Sequence, residues 1–431
     1  MHSPEMVTFV RYCTASNMRI ELCYQCFGDP CSKMPVVLLI GGLNMQMYAW
    51  DEAFCEELVK SGFFVVRFDN RDIGHSTKIE ERGSVVPARL LLPQALAFGE
   101  RLPYTIADMA RDALALLDAL GVSFAHIMGI SMGGMIAQTV ALLAPHRVLS
   151  LTSIMSTTNA SDLPDPQLWV KMWLLRKPPA NCTLEELLNF RVASLKKLLA
   201  GTLPVDEEYL KHRYLISLRR SAYSAGLLRQ AAAIRRCPGR DEALRSLSCP
   251  TLVIHGQQDV LMPPAHGHRT ASVIPCAKLI ILESMGHYLH PAFFSPIIAH
   301  FVEVANTPQE NGGPRSRIGL DLPYCVPLLL GVPVEEKHGA HPVECHLGTA
   351  GALQSSHPPP TGTATAKSSD TQDATHAASK PGEESSDLIE MVCADADEIV
   401  LEEVRQNILE EQLAEASLLN TPENSVCESA R

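Results

Sequence analysis

Ser131 is the residue of this chain best placed to act as a nucleophile. It lies in Gly129-Ile130-Ser131-Met132-Gly133, a G-x-S-x-G pentapeptide that follows an apolar run and precedes a helix-like one. A serine on a tight strand-to-helix turn has its hydroxyl pushed into the open. The backbone N–H one residue on can then meet a developing oxyanion. Glycines suit such a turn, because a side chain at either position would crowd the neighbouring strand or helix. The pentapeptide alone is a weak signal, and its partners must carry the case.

An activated serine needs a base, and the base needs an orienting acid. With an elbow of this type, the acid and the histidine follow in that order, on loops after late strands. The apolar run Thr251–His255 is followed by Gly256-Gln257-Gln258-Asp259, and the run Lys278–Leu282 by Glu283-Ser284-Met285-Gly286-His287. His287 would take the Ser131 proton and later deliver it to the leaving group. Asp259 would hold the ring in the right tautomer and stabilise the imidazolium. The chain has 16 histidines, so position rather than type selects His287; His290 is the nearest rival. Two backbone donors are needed for the tetrahedral intermediate. One is the Met132 N–H. The other is expected from the Gly41-Gly42 turn, at Leu43 N–H or Gly42 N–H. Asp69 and Asp72, in Phe68-Asp69-Asn70-Arg71-Asp72-Ile73-Gly74-His75-Ser76, are read as fixing their own loop.

The elements that must position these groups alternate between short apolar runs and helical patterns over the first 300 residues. Strands are expected at Arg19–Phe27, Val36–Ile40, Phe63–Phe68, Phe124–Met128, Val148–Met155, Thr251–His255 and Lys278–Leu282. Helices are expected at Ala49–Ser61, at Ile106–Leu120 closed by Gly121, and at Gly134–Leu143. This alternation predicts an α/β fold: a mostly parallel sheet with helices on both faces. The stretch 157–245 breaks the rhythm. It reads as helices at Pro166–Leu175, Leu184–Leu199, Glu207–Ser217 and Tyr223–Ile234, too long for a plain crossover. It is expected to be a cap inserted over the site, because ligands in such sheets sit at the C-terminal ends of the strands. Trp169, Met172, Trp173 and Leu174 would line an apolar pocket there.

With these pieces in place, residues 20–302 resemble the α/β-hydrolase superfamily, and within it the aclacinomycin methylesterase-like group. The resemblance rests on Ile40-Gly41-Gly42, on Arg67-Phe68-Asp69-Asn70-Arg71-Asp72-Ile73-Gly74-His75-Ser76, on the serine pentapeptide, on His255-Gly256-Gln257-Gln258-Asp259 and on Met285-Gly286-His287. The elbow and the acid and histidine loops are shared across the superfamily; the Arg-Asp-x-Gly-x-Ser turn is narrower. The resemblance implies the α/β-hydrolase fold with about eight strands and a helical cap, no metal, no cofactor, and ester hydrolysis through an acyl-enzyme. Gly41 stands where this superfamily commonly has histidine. The donor there is a backbone group, so activity should survive the change. The substrate expected is a small or medium apolar carboxylic ester. The same triad serves thioesterases, lipases and C–C bond hydrolases. A non-catalytic scaffold that binds a ligand or partner is the alternative from another class, and such scaffolds usually lose a triad residue.

The chain has 431 residues, 46% of them hydrophobic, with net charge −12. That is ample for one large core. The acidic balance argues against nucleic acid or an anionic membrane surface as main partner. No apolar run is long enough to span a bilayer, and no signal peptide is visible. Thirteen cysteines without that signal fit reduced thiols in a cytoplasmic protein, where the sequons at Asn159 and Asn181 mean little. Cys23-Tyr24-Gln25-Cys26 lies in a strand pattern. Residues three apart in a strand face opposite sides, which argues against a metal or redox pair. Residues 1–305 are thus read as the hydrolase domain and 306–386 as a low-complexity, disordered linker. Its apolar island Leu320–Val334 is a candidate for docking on the domain. Residues 387–419 are read as an acidic amphipathic helix suited to a protein partner, and 420–431 as a tail.

Overall fold

The computed structural model describes residues 2–12, 18–80, 85, 102–167, 169, 170, 173, 176, 178, 179, 182–198, 203–275, 277–307, 332 and 333. Among the described residues nine strands form one sheet: β1 Met6–Tyr12, β2 Arg19–Phe27, β3 Val36–Ile40, β4 Phe64–Phe68, β5 Ala125–Ile130, β6 Val148–Ile154, β7 Thr251–Gly256, β8 Lys278–Leu282 and β9 Val332–Pro333. Their spatial order is β8-β7-β6-β5-β3-β4-β2-β1-β9. The run from β4 to β8 is parallel throughout, while β2 pairs antiparallel with both β4 and β1. β1 lies outside the strands expected from the sequence. From the stretch read as a linker, β9 pairs antiparallel with β1 through Met6↔Pro333 and Val7↔Val332. The proposed helix at 387–419 lies outside the described residues.

The central strands explain why their apolar runs are unbroken. In β3, Val36, Leu38 and Ile40 enter one core and Val37 and Leu39 another, because successive side chains leave a strand on opposite faces. Both faces are covered, as a parallel sheet requires. One core packs on α2 Ile106–Ala119 and α3 Met132–Leu143, the other on α1 Glu52–Lys60 and α9 Phe294–Ala305. Thr105 and Asp108 cap the start of α2 reciprocally. At its end Gly121 sits at φ 69°, with Val122 N–H donating to Leu117 O and Gly121 N–H to Asp118 O, a left-handed stop that glycine makes cheaply. The two sulfurs of the C-x-x-C diverge: Cys26 joins the α2–α3 side, while Cys23 packs with Val7 and Met47.

Between β6 and β7 lie α4 Leu184–Leu198, α5 Glu207–Arg220, α6 Ala225–Arg235 and the short α7 Asp241–Leu244, and α8 Ala265–Val273 follows β7. Within Pro166–Leu175, positions 169, 170 and 173 are helical, and Met172 and Leu174 lie outside the described residues. Among the described residues no helix is long and apolar enough to cross a membrane.

Candidate active site

Ser131 sits between β5 and α3 with φ 55° and ψ −119°, a conformation that non-glycine residues adopt only when the surroundings enforce it. The enforcement is visible on both sides. Ser131 N–H donates to Ile154 O on β6 at 2.9 Å, while its carbonyl accepts from Gly134 N–H at 2.9 Å and Met135 N–H at 3.2 Å. The flanking glycines are obligatory for contact reasons. A Cβ on Gly129 would lie 2.1 Å from Gly133 O, and one on Gly133 would lie 2.1 Å from Ile40 O. Helix α3 therefore touches the ends of β5 and β3, and its first turn points at the site.

Asp259 follows β7 and His287 follows β8. Backbone hydrogen bonds join their loops: Gln257 N–H to Leu282 O at 3.0 Å and Gln258 N–H to Met285 O at 2.9 Å. Gly256 makes the approach close enough, since a Cβ there would lie 2.2 Å from Met285 O. Three residues far apart in sequence thus meet. His287 Nδ1 is 2.7 Å from Asp259 Oδ2, and His287 Nε2 is 3.0 Å from Ser131 Oγ. A ring nitrogen facing a carboxylate carries the proton, which leaves Nε2 to accept from the serine hydroxyl.

Burial pushes the Asp259 carboxyl upward, but the charge on His287 and hydrogen bonds from His255 and His287 outweigh it and hold it well below the usual carboxylate range. Its Oδ1 accepts from Leu261 N–H at 3.0 Å and Met262 N–H at 2.7 Å. The fully buried His255 was not singled out by its sequence context. Its Nε2 donates to Met262 O at 2.7 Å and lies 3.4 Å from Asp259 Oδ2, which closes the acid loop. His290 is elsewhere: it caps the turn at Pro291–Phe293 and its Nε2 meets Pro204 O at 3.0 Å.

The Gly42, Leu43 and Met132 N–H groups donate to no described residue. A Cβ on Gly42 would lie 3.3 Å from Ser131 Cβ, so this loop passes directly beside the serine. Of the cap residues, Trp169 is 39% exposed and donates from Nε1 to Gln167 at 2.8 Å, and Trp173 is half-buried under the Arg176 guanidinium at 4.3 Å. These recorded contacts stay within the cap segment.

The loop that carries Asp69 and Asp72 does fix its own fold. Asp69 accepts from Met47 N–H at 2.7 Å and His75 N–H at 3.0 Å, and Asp72 accepts from Ile79 N–H at 2.6 Å. It also anchors the cap. Arg220 on α5 reaches Asp69 and Glu5 at 2.7 Å each, and Arg229 on α6 reaches Asp72 at 2.8 Å. No spacing in the sequence pairs those arginines with those aspartates.

A model of the α/β hydrolase fold matches residues 35–292. The chain belongs to the α/β-hydrolase family. Rhodomycin D methylesterase from Streptomyces peucetius is 31% identical over 306 residues, covering 66% of this chain and 94% of that protein. A putative carbamate hydrolase from Pseudomonas savastanoi is 30% identical over 203 residues, 43% of this chain and 68% of its own length. Among solved structures, a hydrolase from Pseudomonas aeruginosa superposes with a TM-score of 0.50 at 23% identity, covering 70% of this chain and 98% of its own. The last similarity speaks to the fold alone. By sequence this family member is similar to rhodomycin D methylesterases.

Proposed function

We propose that the protein is a serine carboxylester hydrolase acting on a small or medium apolar ester, with Ser131 as nucleophile, His287 as base and Asp259 as its orienting acid. The observation that supports this most directly is the unbroken chain from Ser131 Oγ through both ring nitrogens of His287 to Asp259. His287 Nε2 takes the hydroxyl proton as Ser131 Oγ attacks the ester carbonyl carbon. The oxyanion is met by the Met132 N–H and by Leu43 N–H, with Gly42 N–H as the neighbouring alternative. Collapse breaks the carbon–oxygen bond to the alcohol, which leaves with the proton from His287. Water then repeats the sequence: it gives its proton to His287, attacks the acyl-enzyme, and Ser131 recovers the proton as the acid departs.

The rhodomycin D methylesterase relatives support an ester, and a methyl ester in particular, as the bond cleaved. Trp169, Met172 and Trp173 in the cap are proposed to shape the acyl or alcohol pocket. The test is turnover of methyl and p-nitrophenyl esters of increasing acyl length, with Ser131→Ala alongside. Wild-type turnover that falls by about 10⁴-fold or more in the variant is expected. Unchanged turnover in Ser131→Ala would overturn the reading. If no ester is cleaved, labelling of Ser131 by a fluorophosphonate separates a narrow-specificity hydrolase from a non-catalytic scaffold.

A further inference from the structure

The loop proposed to supply the second oxyanion donor is not held by its own strand. It leaves β3 at Gly41 and passes through Asn44 at φ 55°, in the left-handed region that asparagine enters more readily than most non-glycine residues. Two side chains from outside hold the loop. Asn70 Nδ2 donates to Gly41 O at 3.0 Å. On the other side, Asn44 N–H donates to Gln230 Oε1 at 2.9 Å, and Gln230 Nε2 donates to Arg71 O at 3.0 Å. Gln230 belongs to α6 of the cap and is fully buried. Its orientation is fixed, because its oxygen faces only a donor and its nitrogen only an acceptor. The helix that carries it is seated hard: a Cβ on Gly226 would lie 2.1 Å from Asp72 O, and Arg229 pairs with Asp72.

We infer that Gln230 is a positioning residue for the oxyanion site, through which the seating of the cap sets the direction of the Leu43 N–H. By occupying the Asn44 N–H it removes that amide as a competing donor and fixes the peptide plane next to Leu43. The inference rests on the hydrolase reading above. Oxyanion donors act at the position where charge develops, and an offset there weakens transition-state binding while ground-state binding is kept. An ordinary buried glutamine holding two loops together would affect stability without that selectivity.

The experiment compares wild type and Gln230→Met in kcat, KM and the inhibition constant of a trifluoromethyl ketone. The ketone carbon accepts Ser131 Oγ, the proton passes to His287, and the resulting oxyanion occupies the site in question. The expected result is a kcat about 10- to 100-fold lower, part of what losing a whole donor costs. KM should stay within about threefold, and ketone affinity should fall by the same factor as kcat/KM. A kcat within twofold of wild type, or a lower kcat with unchanged ketone affinity, overturns the inference. Should Gln230→Met not fold, Gln230→Asn is read the same way, since it keeps the amide but is one methylene short of both partners. A wild type that cleaves no ester and is not labelled at Ser131 sinks the hydrolase reading, and this inference with it.

Discussion

The proposed catalytic constellation and the cap attachment are built on opposite principles. Ser131, Asp259 and His287 each sit within a few residues of the end of a parallel strand, and the sheet brings them together. The cap is attached by long-range charged contacts that no strand register dictates: Arg220 to Asp69 and Glu5, Arg229 to Asp72, and Arg213 to Asp51. The first arrangement puts polar groups on a rigid apolar scaffold, so a change there should alter chemistry before stability. The second buries charges that depend in large part on one another for compensation, so a change there should alter stability before chemistry.

Asp259→Asn gives the largest effect and tests the first half of this contrast. The Leu261 and Met262 N–H groups can still donate to the amide oxygen, so the loop keeps its shape, but the tautomer of His287 is no longer enforced. A fall in kcat of about 10⁴-fold is expected, with a smaller loss of Tm than the cap variant Arg220→Met shows. A variant that loses more Tm than that one would break the comparison. Arg220→Met tests the other half. It leaves Asp69 buried and Glu5 half-buried without their cation, and a cost of about 3–5 kcal/mol is expected. The readout is Tm by calorimetry, with kcat/KM measured well below it. A kcat loss without a Tm loss would show that the cap contacts serve the chemistry directly.

Acid pH sharpens the contrast by a smaller amount. Asp259 and Glu5 are each pushed up by burial and pulled further down by their partners: His287 and His255 for Asp259, His75 and Arg220 for Glu5. Their folded-state values therefore lie below those of the unfolded chain, at about 4. The stability they contribute is fully present above that pH and is lost as pH falls through the folded values, because the unfolded state binds the protons first. Tm should decline below about pH 4, and Glu5→Gln should flatten part of that decline.

The difference between the two regions also explains what could be read in advance. The strand runs, the serine elbow and the acid and histidine loops are local patterns, and each survives as a few consecutive residues. β1 is not legible because its second half, Phe9–Tyr12, is only partly buried and breaks the apolar run, and β9 because two residues carry no periodicity. Arg220, Arg229, Gln230 and His255 are illegible for a different reason. An arginine on an amphipathic helix reads as a solvated face until the loop it meets is known.

By itself the sequence determined the parallel strands and β2, the proposed order of serine, acid and histidine, and the glycines without which the elbow could not close, since these follow from side-chain period and backbone sterics over short spans. Only the tertiary structure decided which charges the cap buries, that Asp69 and Asp72 hold it down, and that Gln230 grips the loop beside Leu43. Those contacts join residues more than 150 positions apart, and their energy comes from mutual burial, which no local pattern records.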